Sequence, residues 1–206
     1  MQYVIFDFNG TVVDDVELSL RCINHTIKRY LNRKPLSLEE YREVFTFPVK
    51  DYYVNVGFDF NTLDWTEVGQ CWMDYYQEHI IEAKLHNGVK ELLINNHSKG
   101  YKNILLSASR LDLLIEQVKQ LGIYDYFDEI LGLDNIYAHS KLPIGINFVK
   151  DKNPKECVYL GDSGHDAEVA KAMGVRCILI ADGHESKRRL LEIHDEVYDS
   201  IKEVKI

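Results

Sequence analysis

The chain has 206 residues, 46% of them apolar, and a formal net charge of −9, which is enough for one sizeable core or for one core with a modest insertion. Lys and Arg are not gathered into a stripe, so neither nucleic acid nor an anionic membrane is expected as the main partner. No run approaches the roughly 20 apolar residues that span a bilayer, and the first residues lack the basic start and longer apolar segment of a signal peptide. Cys22, Cys71, Cys157 and Cys177 are scattered without C-x-x-C or metal-ligand spacing, which predicts reduced, buried thiols and a cytoplasmic protein.

In chain order, the apolar run Val4-Ile5-Phe6 ends abruptly in Asp7-Phe8-Asn9-Gly10-Thr11. A buried parallel strand whose C-terminal end opens into a site reads this way, and ligands of open α/β sheets gather at such ends. Past Asp14 and Asp15, Leu20, Ile23, Ile27, Tyr30 and Leu31 share one helical face, and Asn32 to Pro35 stops it. Ser37-Leu38-Glu39-Glu40 is a capping-box pattern for a second helix with Tyr41, Val44 and Phe45. After a break at Phe47 to Lys50 comes a short third piece from Asp51. Asp64 or Thr62 then caps a long helix with Trp65, Val68, Trp72, Tyr75 or Tyr76, and His79 at three- and four-residue spacings. This aromatic stripe reads as a small helical core rather than a ligand box.

From Leu85 the rhythm becomes strand and helix in alternation. A helix is expected over Val89 to Asn96 and a strand over Tyr101 to Leu106, stopping at Ser107-Ala108-Ser109-Arg110. A helix with Leu113, Leu114, Val118 and Leu121 closes at Gly122, the left-handed position after a helix end. Glu129 to Gly132 is a short strand, followed by a loop to Lys141 and a helix around Ile144 to Val149. Cys157 to Leu160 is a strand leading to Gly161-Asp162-Ser163-Gly164-His165-Asp166 and a helix from Ala167 to Met173; Cys177 to Ile180 is a fifth strand. The alternation predicts an α/β fold, a Rossmann-like doubly wound parallel sheet interrupted after its first strand by an inserted α-helical domain.

Taken singly, Asp7, Ser107, Lys141, Asp162 and Asp166 are ordinary caps, turn residues or surface charges. Together, in this order and at these strand ends, they resemble the four motifs of the haloacid dehalogenase superfamily, and the likeness runs over nearly the whole chain. The helical insertion is similar to the small cap of its phosphoglycolate phosphatase and β-phosphoglucomutase branch. The resemblance implies a core of residues 1–14 and 86–206, a cap of 15–85, and hydrolysis of a small phosphorylated metabolite with Mg²⁺. Asp7 would attack phosphorus and bind the metal, whose hard oxygen ligands would include Asp162 and the main-chain carbonyl of Asn9, with Asp166 acting directly or through water. Ser107 would donate to the phosphoryl oxygens, and Lys141 would hold positive charge between nucleophile and phosphate. Main-chain N–H groups near Phe8 and Asn9 would complete the cradle.

Asn9 stands where the family pattern has the acid/base aspartate. The metal ligand there is main chain, so the metal site survives, but an amide cannot shuttle a proton. General acid/base catalysis contributes about 10² to 10⁴ in rate, so ordinary phosphomonoesters should turn over weakly, while acyl and aryl phosphates, which need less protonation, should suffer less. Asp15, His165 or a cap residue could supply the proton instead. Asn9 is read as a natural specialisation, as the mark of a phosphometabolite-binding or regulatory protein without turnover, or as a replacement that traps a complex.

Arg42, Lys50 and Arg110 are candidates for holding a second anionic group of the substrate, against a bland reading as solvated charges. Lys50 also raises a phosphonatase-like carbon–phosphorus hydrolase, whose relatives use a cap lysine as a Schiff base, although the sequence around Lys50 does not otherwise resemble theirs. A metal-free 2-haloacid dehalogenase fits poorly with Asp162 and Asp166 both present. His184 is expected to start a helix rather than to meet substrate. Oligomeric state is left as monomer or homodimer.

Overall fold

The computed structural model describes residues 2–134 and 140–206; residues 135–139 of the expected loop before Lys141 lie outside the described residues. The strand β1 (Tyr3–Phe6) enters a tight loop, and the two-residue strand β2 (Val13–Asp14) leads into four helices, α1 (Val16–Tyr30), α2 (Leu38–Val44), α3 (Val49–Val56) and α4 (Trp65–His79). The strand β3 (Lys84–Leu85) brings the chain back. From there α5 (Val89–Ser98), β4 (Lys102–Arg110), α6 (Leu111–Gln120), β5 (Glu129–Leu133), α7 (Leu142–Val149), β6 (Cys157–Gly161), α8 (Gly164–Met173), β7 (Arg176–Ile180), α9 (Lys187–Ile193) and β8 (Val197–Tyr198) alternate.

Six strands form one sheet in the order β5-β4-β1-β6-β7-β8, with every pairing parallel. The alternation of side chains along β1 assigns its residues to two cores: Val4 and Phe6 pack with Val89, Leu93, Leu114 and Val118, and Ile5 with Phe148, Val169, Met173 and Leu190. Helices α5 and α6 therefore cover one face and α7 to α9 the other, as a strand buried on both sides requires. No helix of the described residues is long and apolar enough to cross a membrane, and the four cysteines are free and buried.

Helices α1 to α4 enclose a cluster of their own, with Ile23, Ile27, Tyr41, Tyr52, Tyr53, Val56, Phe58 and Val68 buried and Trp65 and Trp72 packed against them. The aromatic stripe is thus a helical core. Ser37 and Glu40 form the expected reciprocal cap of α2, and the Asp64 carboxylate accepts the Glu67 N–H at 2.9 Å to begin α4. The insertion enters and leaves through one antiparallel ribbon, Val13 beside Leu85 and Asp14 beside Lys84.

Two details differ from expectation. The strand ending at Leu106 continues to Arg110, because the polar stretch Ser107-Ala108-Ser109-Arg110 stays extended and rejoins β5 after a register shift, Arg110 pairing Leu133. Gly132 permits this, since a Cβ there would lie 2.9 Å from the Leu111 Cα and the Ser109 carbonyl oxygen. The pieces β2, β3 and β8 are two residues each, too short for alternation to register.

Candidate active site

Because β1 is hydrogen-bonded to both β4 and β6, the C-terminal ends of the three strands meet. Asp7 follows β1, Ser107 lies in β4, Asp162 follows β6, Asp166 is in the first turn of α8, and Lys141 directly precedes α7. All five are buried. Asp7, Asp162 and Asp166 can each offer one oxygen within 4.8 Å of the others. The Lys141 ammonium donates to Asp7 Oδ1 and to Asp166 Oδ1 at 2.6 Å.

Each carboxylate is held differently. Asp166 is saturated: Oδ1 also accepts from the Tyr159 hydroxyl at 3.0 Å, and Oδ2 accepts from the Asp162 and Ser163 N–H groups and the Ser163 hydroxyl, at 3.1, 3.0 and 2.6 Å. Gly161 makes room for it, since a Cβ at that position would meet Asp166 at 2.3 Å. Although burial works against the charge, Lys141 and Ser163 hold the Asp166 carboxyl below the usual range. Asp162 accepts from the Thr11 hydroxyl at 2.9 Å and from the His184 N–H at 2.7 Å. Gly10 (φ +75°) and Gly183 let two loops close on it, a Cβ at either position falling 2.2–2.3 Å from Asp162. Asp7 is pushed up to about 8 by burial, with Asp166 and Asp162 adding to the rise and Lys141 opposing it. Burial disfavours the Lys141 charge, yet Asp166 and Asp7 keep its pKa well above the ordinary lysine value.

Three buried carboxylates face one ammonium, so the pocket carries excess negative charge and hard oxygen donors. That donor set fits a divalent cation of the Mg²⁺ kind, which is bound by one or two carboxylates together with other oxygens. Asp7 Oδ2 and the two Asp162 oxygens are the positions with capacity left; Asp166 serves chiefly to fix Lys141 and the turn that carries Asp162.

On the other side of the same loop, the Asn9 amide nitrogen donates to Asp15 Oδ2 at 2.8 Å and to the Tyr76 hydroxyl at 2.7 Å. Tyr76 comes from α4 and donates to the same Asp15 oxygen at 2.8 Å. Asn9 Oδ1 accepts from the Ser109 hydroxyl at 3.3 Å. Asp15 further accepts the Gly10 N–H at 2.9 Å and pairs with His184 Nε2 at 3.3 Å. His184 Nδ1 meets the Tyr41 hydroxyl at 2.8 Å, and Phe45 stacks on the ring at a centroid separation of 4.9 Å. Burial opposes its charge, but Asp15 brings His184 up to about 9; reciprocally, against burial, His184, Asn9 and Tyr76 hold Asp15 below the usual carboxylate range. His184 therefore lines the site. The helix it was expected to start begins after Ser186, whose hydroxyl accepts the Arg189 N–H at 3.4 Å.

Of the remaining candidates only Ser107 is among the five buried residues at the strand ends. Ser107 Oγ accepts the Ser109 N–H at 3.0 Å, leaving its own hydrogen to give. Arg42 donates to the Gly183 and Asp182 carbonyls at 3.0 and 2.8 Å, clasping α2 to the loop after β7. Lys50 is exposed, its ammonium 5.6 Å from the Phe60 ring centre, and Arg110 forms a two-pronged pair with Asp112. His165 stacks on Phe47 at 4.8 Å. Sequence reasoning did not single out Tyr41, Tyr76 or Ser109: both tyrosines sit in apolar helical stripes, and their partners are 143 and 61 residues away.

Comparison with known proteins bears on the family and the fold. The family model described as haloacid dehalogenase-like hydrolase matches residues 4–180. The phosphoglycolate phosphatase of Pseudomonas fluorescens is 26% identical over 198 residues, covering 92% of this chain and 72% of that protein. The pyrophosphatase PpaX of Listeria monocytogenes serotype 4a is 22% identical over 172 residues, covering 82% and 77%. A haloacid dehalogenase-like family hydrolase from Streptococcus pneumoniae superposes with a TM-score of 0.78 at 20% identity, over 96% of this chain and 92% of the other. With its motif residues gathered at three adjacent strand ends and the family model spanning β1 to β7, this chain belongs to the haloacid dehalogenase-like hydrolases.

Proposed function

We propose that the protein is a Mg²⁺-dependent phosphatase that hydrolyses a small phosphorylated metabolite through an aspartyl-phosphate on Asp7. The observation that carries this reading is Asp7 itself, a buried carboxylate at the end of β1, in contact with the Lys141 ammonium and within reach of two further carboxylates. Phosphoryl transfer chiefly demands positioning and charge neutralisation. Asp7 attacks phosphorus, Ser107 donates to a phosphoryl oxygen, and Lys141 screens the approach of two anions. Main-chain N–H groups of Phe8 and Asn9 complete the cradle. A bound Mg²⁺, held by Asp7, Asp162 and the Asn9 main-chain carbonyl with Asp166 behind them, would neutralise phosphoryl charge.

Residues 15–85 form the cap and 1–14 with 86–206 the core. The cap excludes water and reads the organic part of the substrate, and its seat on the core, Tyr41 on His184, Tyr76 on Asn9 and Arg42 on Gly183, supports that division. Relatives named phosphoglycolate phosphatase and pyrophosphatase support a small phosphorylated substrate. The buried free thiols support a reducing, cytoplasmic setting, and a monomer or homodimer is consistent with the acidic surface. One observation favours a second reading, a regulatory protein that binds a phosphometabolite without turnover: the Asn9 amide, bound within the protein, occupies the place of a proton shuttle. The carbon–phosphorus reading gains nothing from Lys50, which lies against Phe60.

Phosphate release from a panel of phosphorylated compounds, with Mg²⁺ or with EDTA, separates the two readings. Multiple turnover that needs Mg²⁺ and drops by roughly 10⁴-fold or more in Asp7→Asn is the expected result; saturable phosphate binding with no release would leave the binder.

A further inference from the structure

The surroundings of Asn9 bear on what can leave from the phosphorus. Both hydrogens of its amide are given to protein acceptors, Asp15 Oδ2 and the Tyr76 hydroxyl, and Tyr76 passes its own hydrogen to Asp15. Asp15 receives hydrogens on both oxygens, from Gly10 on one and from Asn9 and Tyr76 on the other. Both ring nitrogens of His184 are engaged, one with Asp15 and one with Tyr41. The Lys141 ammonium is held between Asp7 and Asp166, and the Ser109 hydroxyl is turned to Asn9 Oδ1. Among the described residues around Asp7, two side-chain hydrogens are left over: the third of the Lys141 ammonium, whose proton is held in place by the two carboxylates it bridges, and that of the weakly acidic Ser107 hydroxyl.

We infer that the site selects phosphoryl donors whose leaving group departs as a stable anion, namely acyl phosphates and phosphoanhydrides, over alkyl phosphate esters. This deepens, and rests on, the phosphatase reading above. In the first step an Asp7 oxygen forms a bond to phosphorus as the bond to the leaving oxygen breaks; the electron pair goes with the leaving group, which departs as carboxylate or phosphate and takes no proton. An alkoxide leaving the same way would be far too basic. In the second step water attacks the phosphorus of the aspartyl-phosphate, the bond to Asp7 breaks, and Asp7 regains its carboxylate. Both hydrogens of the water stay with the product as dihydrogen phosphate, which then equilibrates with solvent. Neither step draws a proton from, or gives one to, a side chain.

The test compares kcat/KM for acetyl phosphate, pyrophosphate and a simple alkyl phosphate, with Mg²⁺, in the native chain and in Asn9→Asp. kcat/KM reports the step in which the leaving group departs. The native chain should prefer acetyl phosphate and pyrophosphate, and that preference should shrink by about 10² to 10⁴-fold in Asn9→Asp, the range general acid catalysis covers. If Asn9→Asp does not fold, a series of aryl phosphates on the native chain decides instead, with a rate climbing steeply with leaving-group acidity as the expected result. Release from the alkyl phosphate as readily as from acetyl phosphate, an unchanged preference in Asn9→Asp, or an even rate across the aryl series would overturn this inference and leave the phosphatase standing. No release from any donor by the folded native chain would overturn both.

Discussion

Asp7 and Asn9 stand two residues apart on one loop, yet they belong to differently built surroundings. Around Asp7 the partners are Lys141, Asp162 and Asp166, all supplied by the sheet and its helices, and the arrangement is one of buried charges held by main-chain and side-chain donors. Around Asn9 the partners come from three places: Ser109 from β4, Asp15 from the junction where the helical insertion begins, and Tyr76 from α4. The buried charges thus stand on the sheet and its helices alone, while Asn9 sits at a joint with the inserted helices. The seating of α4 fixes the Asn9 amide through Tyr76; moving α4 away would release it.

That contrast is broken most severely at Lys141. Lys141→Met leaves the Asp7 and Asp166 carboxylates buried without their cation, a change that costs about 3–5 kcal/mol when one partner of a buried pair is removed. We expect a large fall in the urea midpoint and the collapse of phosphate release. A midpoint unmoved by the substitution would mean that Lys141 is not the counter-charge the geometry makes it.

Tyr76→Phe sharpens the other half of the comparison. It removes a hydrogen bond to the Asp15 carboxylate and an acceptor for Asn9, worth about 1.5–3 kcal/mol for a bond to a charged group. The expected outcome is a lower Tm together with faster proteolytic cleavage within residues 15–85. Equal cleavage of both proteins would show that Tyr76 does not hold the inserted helices in place.

The smallest effect is expected at Glu185, beside His184. Burial pushes this carboxyl up to about 7 while Arg189 opposes the shift. A carboxyl whose folded pKa lies above its unfolded value favours the protonated folded state, so its ionisation weighs against folding as pH rises from about 4.5 through about 7. Glu185→Gln should therefore raise the urea midpoint at pH 8 and change it little at pH 4.5. A gain that is the same at both pH values would assign the effect to packing.

The sequence carried the Asp7 side well and the Asn9 side poorly, for a physical reason. Asp7 and Asp162 each stand at the end of a short apolar run, and they and Lys141, ordinary when taken singly, are legible through their order along the chain, which resembles the family's motifs. A parallel sheet then brings such ends together without further instruction. Tyr76 and Tyr41 obey the helical spacing of a core stripe, and their rings do lie in or beside the aromatic core of α1 to α4, Tyr76 against Trp72 and Tyr41 against Tyr52. Only their hydroxyls leave it, and periodicity does not distinguish the two ends of a tyrosine. His184 was hidden in the same way, since its partners Asp15 and Tyr41 are brought near only by the docking of two layers. Ser107 was recognised by type, but as the end of a strand that in fact continues, because serine and alanine read as a turn while the backbone stays extended.

The ribbon in which Val13 lies beside Leu85 and Asp14 beside Lys84 means that the 69 residues between Asp14 and Lys84 leave the core and return to it through neighbouring positions. To the sheet, everything between those positions amounts to a turn. Its contribution to the core's loop-closure entropy depends only weakly on its length, and a different insert whose ends lie a strand's width apart could replace it without disturbing β1, β4 or β6. The core is in this sense a socket for the insertion, whatever the insertion's internal design.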